Sequence, residues 1–347
     1  MFTRLLEQAS ASVALLPSWP QAEVSGMINW EELMTTAFVL SGGGSLGAAQ
    51  VGMLRALTAH GIRPDLVVGA SVGSLNAAYF AARPDAHGVE ELVELWRQVG
   101  EHDVYPLQLS EVVRGLLGSF PLRPVRGAAA AFGLRNHVFP IDPLLILRAA
   151  AGRVNHLFGN RRFHRFLDHA LPLSRIEDAT LDLSVLAADA CNGRGVLLTG
   201  GPAVPALLAS IAVPGFHPPV EIDGRPLIDG AVANGTTLDH AIERGADEVY
   251  VLAPSLSCHV PAPPSTVLAM TIHGYNLLEE QRMNASIERA RTQAKLHVVP
   301  SPSPVEISPI DFRQTVHLMQ AATHSTNQWL DHDRQTDSSP ATGPESR

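Results

Sequence analysis

The chain has 347 residues, 46% of them hydrophobic and 17% charged, enough apolar content to bury a sizeable core as one large or two ordinary domains. That content excludes a disordered protein. The formal net charge of −9 excludes a general nucleic-acid binder, which needs a surplus of Lys and Arg to neutralise phosphates.

Residues 1–35 read as an N-terminal extension. Within it, Ala11 to Leu16 is too short, and too soon broken by Pro17 and Pro20, to be the apolar core of a signal peptide. No apolar stretch reaches the roughly 20 residues that a transmembrane helix requires. Cys191 and Cys258 form no C-x-x-C pair and suit a reducing compartment, both as structural thiols. The expectation is a cytoplasmic protein whose membrane contact, if any, is peripheral.

Ala37 to Leu40 predicts a short buried strand running into the glycine loop Gly42-Gly43-Gly44-Ser45-Leu46-Gly47. A helix follows over Ala48 to His60, with Val51, Leu54 and Leu57 on one face and a stop at His60-Gly61. Asp65 to Val68 predicts a second strand, which ends in Gly69-Ala70-Ser71-Val72-Gly73 and a helix through Ala82. A right-handed crossover makes the two strands parallel and brings both strand-to-helix loops to one sheet edge. In a G-x-S-x-G elbow, the small residues Gly69 and Gly73 permit a tight turn that exposes the serine hydroxyl. The glycine loop opens backbone N–H groups at a helix start, where negative charge is favoured, as a tetrahedral oxyanion requires.

Gly42-x-Gly44-x-x-Gly47 also fits a dinucleotide fingerprint, with Asp65 as its acid. The ribose-binding acid belongs at the C-terminal end of the second strand, however, and Asp65 stands at its N-terminal start, with Ser71 at its other end. For G-x-S-x-G alone the bland reading is a chance small-residue turn. Two such loops in one unit are more specific than either.

Between Arg83 and Leu181 lies a region expected to select substrate. In it, Leu107 to Leu122 suggests a mobile apolar wall or a buried helix pair, and Asp142-Pro143 a helix start. Arg153, Arg161, Arg162 and Arg165, with His156, His164 and His169, read as a solvated basic face, with a surface for anionic head groups as the sharper alternative. Leu183 to Ala188 predicts a strand ended by Asp189 near the sheet's active edge, a candidate base; Asp229, whose following Gly230-Ala231 leaves room for close approach to Ser71, is preferred to it, and Asp189 reads as capping or ordering a loop. Asp247 to Leu252 predicts a further strand, Thr271 to His297 and Asp311 to Leu330 amphipathic helices, and residues 331–347 a disordered tail.

The stretches Leu40-Ser41-Gly42-Gly43-Gly44-Ser45-Leu46-Gly47 and Gly69-Ala70-Ser71-Val72-Gly73-Ser74-Leu75-Asn76-Ala77, then Ala209 to Gly215 and Leu227-Ile228-Asp229-Gly230-Ala231, resemble the patatin-like phospholipases. The resemblance covers about residues 36–330 and implies one three-layer α/β/α domain with a mostly parallel central sheet. It implies a Ser71–Asp229 dyad, Ser71 attacking an acyl carbonyl and Asp229 accepting its proton, with Gly42, Gly43 and Gly44 as the oxyanion hole. Gly47, Gly69, Gly73, Gly230 and Ala231 support the motifs. No cofactor and no metal are implied, and the partner is a lipid or other acyl-ester substrate. Departures are Leu46, where the family commonly has Arg or Lys, His217 in place of an aromatic or aliphatic residue, and Thr237 in place of a frequent proline; the last two bear on local packing.

Alternatives are an acyltransferase or thioesterase with the same acyl-enzyme, and a non-catalytic lipid-binding module. A Ser-Asp-His triad would draw on His240, His259, His273, His297, His317 or His324, but that fold separates oxyanion loop and nucleophile by more than one strand. Fifteen histidines invite a metal site, yet no H-E-x-x-H or similar cluster occurs. Asn76 reads as structural. Nothing in the sequence indicates an oligomeric state.

Overall fold

The computed structural model describes residues 34–101, 143–257, 263, 267–302 and 311–338. The chain divides between Met34 and Thr35, and every element below belongs to the unit from Thr35 onward. Among the described residues eight strands form one sheet: β1 (Thr36–Leu40), β2 (Leu66–Ala70), β3 (Asp182–Asp189), β4 (Gly195–Leu198), β5 (Val220–Ile222), β6 (Arg225–Asp229), β7 (Glu248–Leu252) and β8 (Lys295–Val298). Its centre, β3-β2-β1-β7-β8, is parallel; β4 and β6 pair antiparallel with β3, and β5 pairs antiparallel with β6.

Strand β2 along its whole length, and β1 from Ala37 onward, are apolar and buried because helices cover both faces. On β1, Phe38 and Leu40 face one cluster, with Leu54 and Leu57 of α1 (Gly47–Ala59), Phe80 of α2 (Val72–Ala82) and Leu92 of α3 (Ala86–Glu101). Ala37 and Val39 face the other, with Leu238 of α7 (Thr237–Glu243) and Met283 and Ile287 of α8 (Val267–Ala290). The alternation of side chains along one strand thus separates two helical layers. Short helices α4 (Pro143–Ala150), α5 (Arg161–Ala170) and α6 (Ala203–Ser210) follow the first layer in sequence, and α9 (Thr315–Ser338) ends the described chain.

Two expected boundaries move. The helix expected to reach His297 ends at Ala290, and Lys295–Val298, an alternating polar and apolar segment, pairs with β7 as the edge strand β8, which satisfies its backbone groups there. Helix α9 continues to Ser338, past the expected start of the tail at 331. Leu107 to Leu122, Asp142, Cys258 and His259 lie outside the described residues.

The register around β3 positions the site. Strand β4 takes one edge of β3 at Val185 to Ala188, so β2 and β6 must share the other. Along that edge β2 ends with Ala70 opposite Leu186, and β6, running the other way, ends with Asp229 opposite Ala187. The two strands meet end to end. Across β1, Leu40 pairs with Gly69, which brings the start of the glycine loop to the same place.

Candidate active site

Ser71 follows β2 directly, at φ 52° and ψ −131°, a conformation that costs a non-glycine residue on the order of 1 kcal/mol or more. Its surroundings hold it there. Ser71 N–H donates to Ser210 Oγ at 3.0 Å, Ser210 Oγ donates to Leu186 O at 2.6 Å, and Ser74 Oγ donates to Ser71 O at 2.6 Å. The flanking position must be glycine: a Cβ at Gly73 would lie 2.3 Å from Leu40 O and 2.4 Å from Ser41 O. The elbow is pressed against the end of β1.

Asp229 closes β6 and is fully buried. Its Oδ2 accepts from Ser71 Oγ at 2.8 Å and its Oδ1 from Ala231 N–H at 2.8 Å. Burial pushes the carboxyl up from 3.8 to about 6, against the pull of the Ala231 N–H, the Ser71 hydroxyl and the neighbouring Tyr275 hydroxyl. The last approaches without completing a hydrogen bond. The result is a carboxylate held against the serine, with a higher proton affinity than an exposed aspartate has.

In the glycine loop, Gly43 adopts φ 142°, open in practice only to glycine, and a 3₁₀ turn (Gly44–Leu46) leads into α1. Of the three amides expected to face an oxyanion, that of Gly42 is already taken: its N–H donates to Glu279 Oε1 at 2.7 Å. The N–H groups of Gly43 and Gly44 meet no acceptor among the described residues, and both glycines line the same cavity as Ser71. Gly47 opens α1, and its carbonyl accepts from Asn76 Nδ2 at 2.9 Å. Asn76 also donates to Gln50 and accepts from Trp96 Nε1, while Gln50 donates to Ser41 O and Leu252 O. This buried network is fully paired, in keeping with a structural Asn76.

The cavity beside Ser71 has a volume of about 200 Å³. Its walls are apolar, with Leu75, Trp96, Phe163, Phe166, Phe216 and Phe312 among them. Phe163 and Phe166 come from α5, so the helix carrying Arg161, Arg162 and Arg165 turns its aromatic side to the cavity. His217 also lines it; burial drives its imidazole down to about 3, helped by His156, so it is a neutral packing group tilted against Phe158. Leu46 does not line the cavity: it is 1% exposed and belongs to the main core. Thr237 is the buried first residue of α7.

The competing residues sit elsewhere. Asp189 orders a turn, accepting from Cys191 N–H at 2.8 Å. Asp65 accepts from Thr36 N–H at the opposite end of β1, away from the glycine loop. His240 pairs with Glu243 and His297 with Glu248, and among the described residues no histidine hydrogen-bonds to Ser71 or Asp229. Nor, among the described residues, do three or more His, Cys, Asp or Glu side chains gather as a metal site. No described helix is long and apolar enough to cross a membrane.

The motifs overlooked α8. Besides Tyr275, it supplies Glu279, bonded to Gly42, and Arg282, which donates to the carbonyls of Ala231 and Ala233. The available signal was spacing alone: 275, 279 and 282 recur at helical intervals and so share one face.

The family model described as patatin-like phospholipase matches residues 38–242, more than half of the chain. The chain belongs to the patatin-like phospholipase family. Similar proteins include "Lysophospholipase NTE1" of Phaeosphaeria nodorum, 26% identical over 219 residues, and "Patatin-like phospholipase domain-containing protein 7" of Rattus norvegicus, 25% identical over 218. Those matches cover 63% and 62% of this chain but only 12% and 13% of the relatives, which are far longer. Among solved structures, human GIVD cytosolic phospholipase A2 in complex with methyl gamma-linolenyl fluorophosphonate superposes with TM-score 0.39 at 12% identity, covering 89% of this chain and 60% of that one.

Proposed function

We propose that this member of the family is a lipid acyl hydrolase of phospholipase A or lysophospholipase type, with Ser71 as nucleophile and Asp229 as its base. The observation that carries the reading is the 2.8 Å hydrogen bond from Ser71 Oγ to a buried Asp229 carboxylate at the side of an apolar cavity. A weak nucleophile becomes effective when a base within hydrogen-bond reach takes its proton as the bond forms.

In the first half-reaction, Ser71 Oγ bonds to the acyl carbonyl carbon and its proton passes to Asp229. The carbonyl oxygen, now an oxyanion, is held by the N–H groups of Gly43 and Gly44. Collapse of the intermediate breaks the bond to the leaving alcohol, which departs with the proton from Asp229, leaving an acyl-serine. In the second, water attacks that ester, Asp229 takes the water proton, and the proton returns to Ser71 as the fatty acid leaves. The apolar walls suit an acyl chain, and the lysophospholipase names of relatives agree with a lipid ester. Contact with a lipid surface belongs to the same proposal.

The test is hydrolysis of p-nitrophenyl esters and lysophospholipids by wild type, Ser71→Ala and Asp229→Asn, each checked for folding. Both variants are expected to lose at least about 10³-fold in kcat, the scale of loss when a member of a nucleophile–base unit is removed. Turnover that survives in Ser71→Ala would sink the mechanism.

A further inference from the structure

We infer that Glu279 is a positioning residue for the oxyanion loop, acting through its hydrogen bond to Gly42 N–H. The inference rests on the Ser71–Asp229 reading and extends it to a residue outside the family motifs.

Glu279 is 7% exposed, yet among the described residues only one of its carboxyl oxygens has a hydrogen-bond partner: Oε1 accepts from Gly42 N–H at 2.7 Å, while Oε2 is buried without one. A buried carboxyl with half its capacity unused is costly, so its retention requires a compensating role or contact. The contact it makes is with Gly42, the first glycine of the loop, which does not line the cavity as Gly43 and Gly44 do. By holding Gly42, Glu279 fixes the turn after which Gly43 and Gly44, with unpaired N–H groups, line the cavity beside Ser71. The two residues are closely fitted, since a Cβ on Gly42 would stand 2.8 Å from Oε1.

One turn further along α8, Arg282 donates to the carbonyls of Ala231 and Ala233 in the turn that follows Asp229. A single helix face therefore holds the oxyanion loop with an acceptor and the aspartate turn with a donor. The spacing between the Gly43 and Gly44 amides and the base is set by a rigid element, not by the two loops themselves. A displacement on the order of 1 Å in such an arrangement can cost about 10²-fold in rate.

Two conservative variants separate this role from others. Glu279→Gln keeps length and a carbonyl acceptor for Gly42 but removes the charge. Glu279→Asp keeps the charge but withdraws the acceptor by one methylene. Positioning through the hydrogen bond predicts that Glu279→Gln stays within about fivefold of wild-type kcat on a p-nitrophenyl ester. It predicts that Glu279→Asp loses about 10- to 100-fold in kcat, with KM changed less than about threefold. It also predicts faster hydrogen exchange at the Gly42 amide in Glu279→Asp, at a Tm close to wild type. The reverse order, with Asp active and Gln impaired, would make the charge the operative feature and overturn the inference, as would wild-type kcat in Glu279→Asp. Wild type and Ser71→Ala are assayed alongside. An inactive wild type, or turnover surviving Ser71→Ala, overturns the dyad reading and this inference with it, whereas a normal dyad response with an unaffected Glu279→Asp overturns this inference alone.

Discussion

Ser71 Oγ donates to Asp229 Oδ2 at 2.8 Å although 158 residues separate the two in the chain. Strand register makes the contact: Ala70 is opposite Leu186 and Asp229 opposite Ala187, on one edge of the same strand. Ser71 and Asp229, the proposed nucleophile and base, thus stand at the ends of backbone ladders, which hold geometry more tightly than a mobile loop would.

Burial gives the first prediction. Asp229 rises to about 6 and the adjacent Glu279 to about 7, each mainly because burial disfavours its charge, and Glu279 further because Asp229 is near. In the proposed role of base, Asp229 must be ionised. Activity is therefore expected to fall as pH drops, with an apparent limb in kcat/KM between about 6 and 7 that belongs to the coupled pair. The check is a pH profile from 4 to 9 with product release followed chromatographically. A limb near pH 4 would mean that Asp229 is not shifted and the site is open to water.

The same burial has a stability consequence. Below 3.8 Asp229 is protonated in both folded and unfolded chains and weighs on neither. Between 3.8 and about 6 the unfolded chain releases a proton that the folded one keeps, so stability falls as pH rises through that window. Asp229→Asn removes the penalty, on the order of 1–3 kcal/mol above pH 6. Thermal unfolding should show the variant gaining a few degrees over wild type at pH 8 and much less at pH 4. A pH-independent difference would refute the account.

What the sequence discloses and what it withholds divide along physical lines. Strand, glycine loop and elbow are local patterns whose conformations their own residues dictate, and Asp229 sits in a short turn motif beside Gly230-Ala231. The role of Glu279 depends on α8 packing against a loop 237 residues away, which no local pattern records. For the same reason Gly42 reads as an oxyanion donor when its N–H is already taken. Lys295–Val298 resembles the end of a helix until the open edge of β7 recruits it as a strand. Leu46, an anomaly beside the family's cation, is a core residue here.

Gly73 offers a test of the elbow itself. An added Cβ would stand 2.3 Å from Leu40 O and 2.4 Å from Ser41 O, both backbone atoms at the sheet end that cannot swing aside. Gly73→Ala should therefore cost about 2–4 kcal/mol, at or above the upper range for overpacking, and abolish turnover. Chemical denaturation with an unchanged midpoint would show that the elbow relaxes freely.

The cavity wall yields the last prediction. Leu75 lies one helical turn beyond Ser71 on α2, is partly buried, and lines the same cavity as Ser71. A bulkier side chain there should occupy room that a long acyl chain needs while leaving space for a short one. Each methylene buried contributes about 0.8 kcal/mol, so excluding two of them weakens a long ester by about 1.6 kcal/mol, roughly 15-fold. Leu75→Trp is thus expected to lower kcat/KM for a dodecanoyl p-nitrophenyl ester about 10- to 20-fold more than for the butanoyl ester. The ratio of the two, measured on one enzyme preparation, cancels differences in active fraction. Equal losses on both esters would place the effect at the elbow, where Ser71 and α2 join, and would remove Leu75 from the acyl-binding surface.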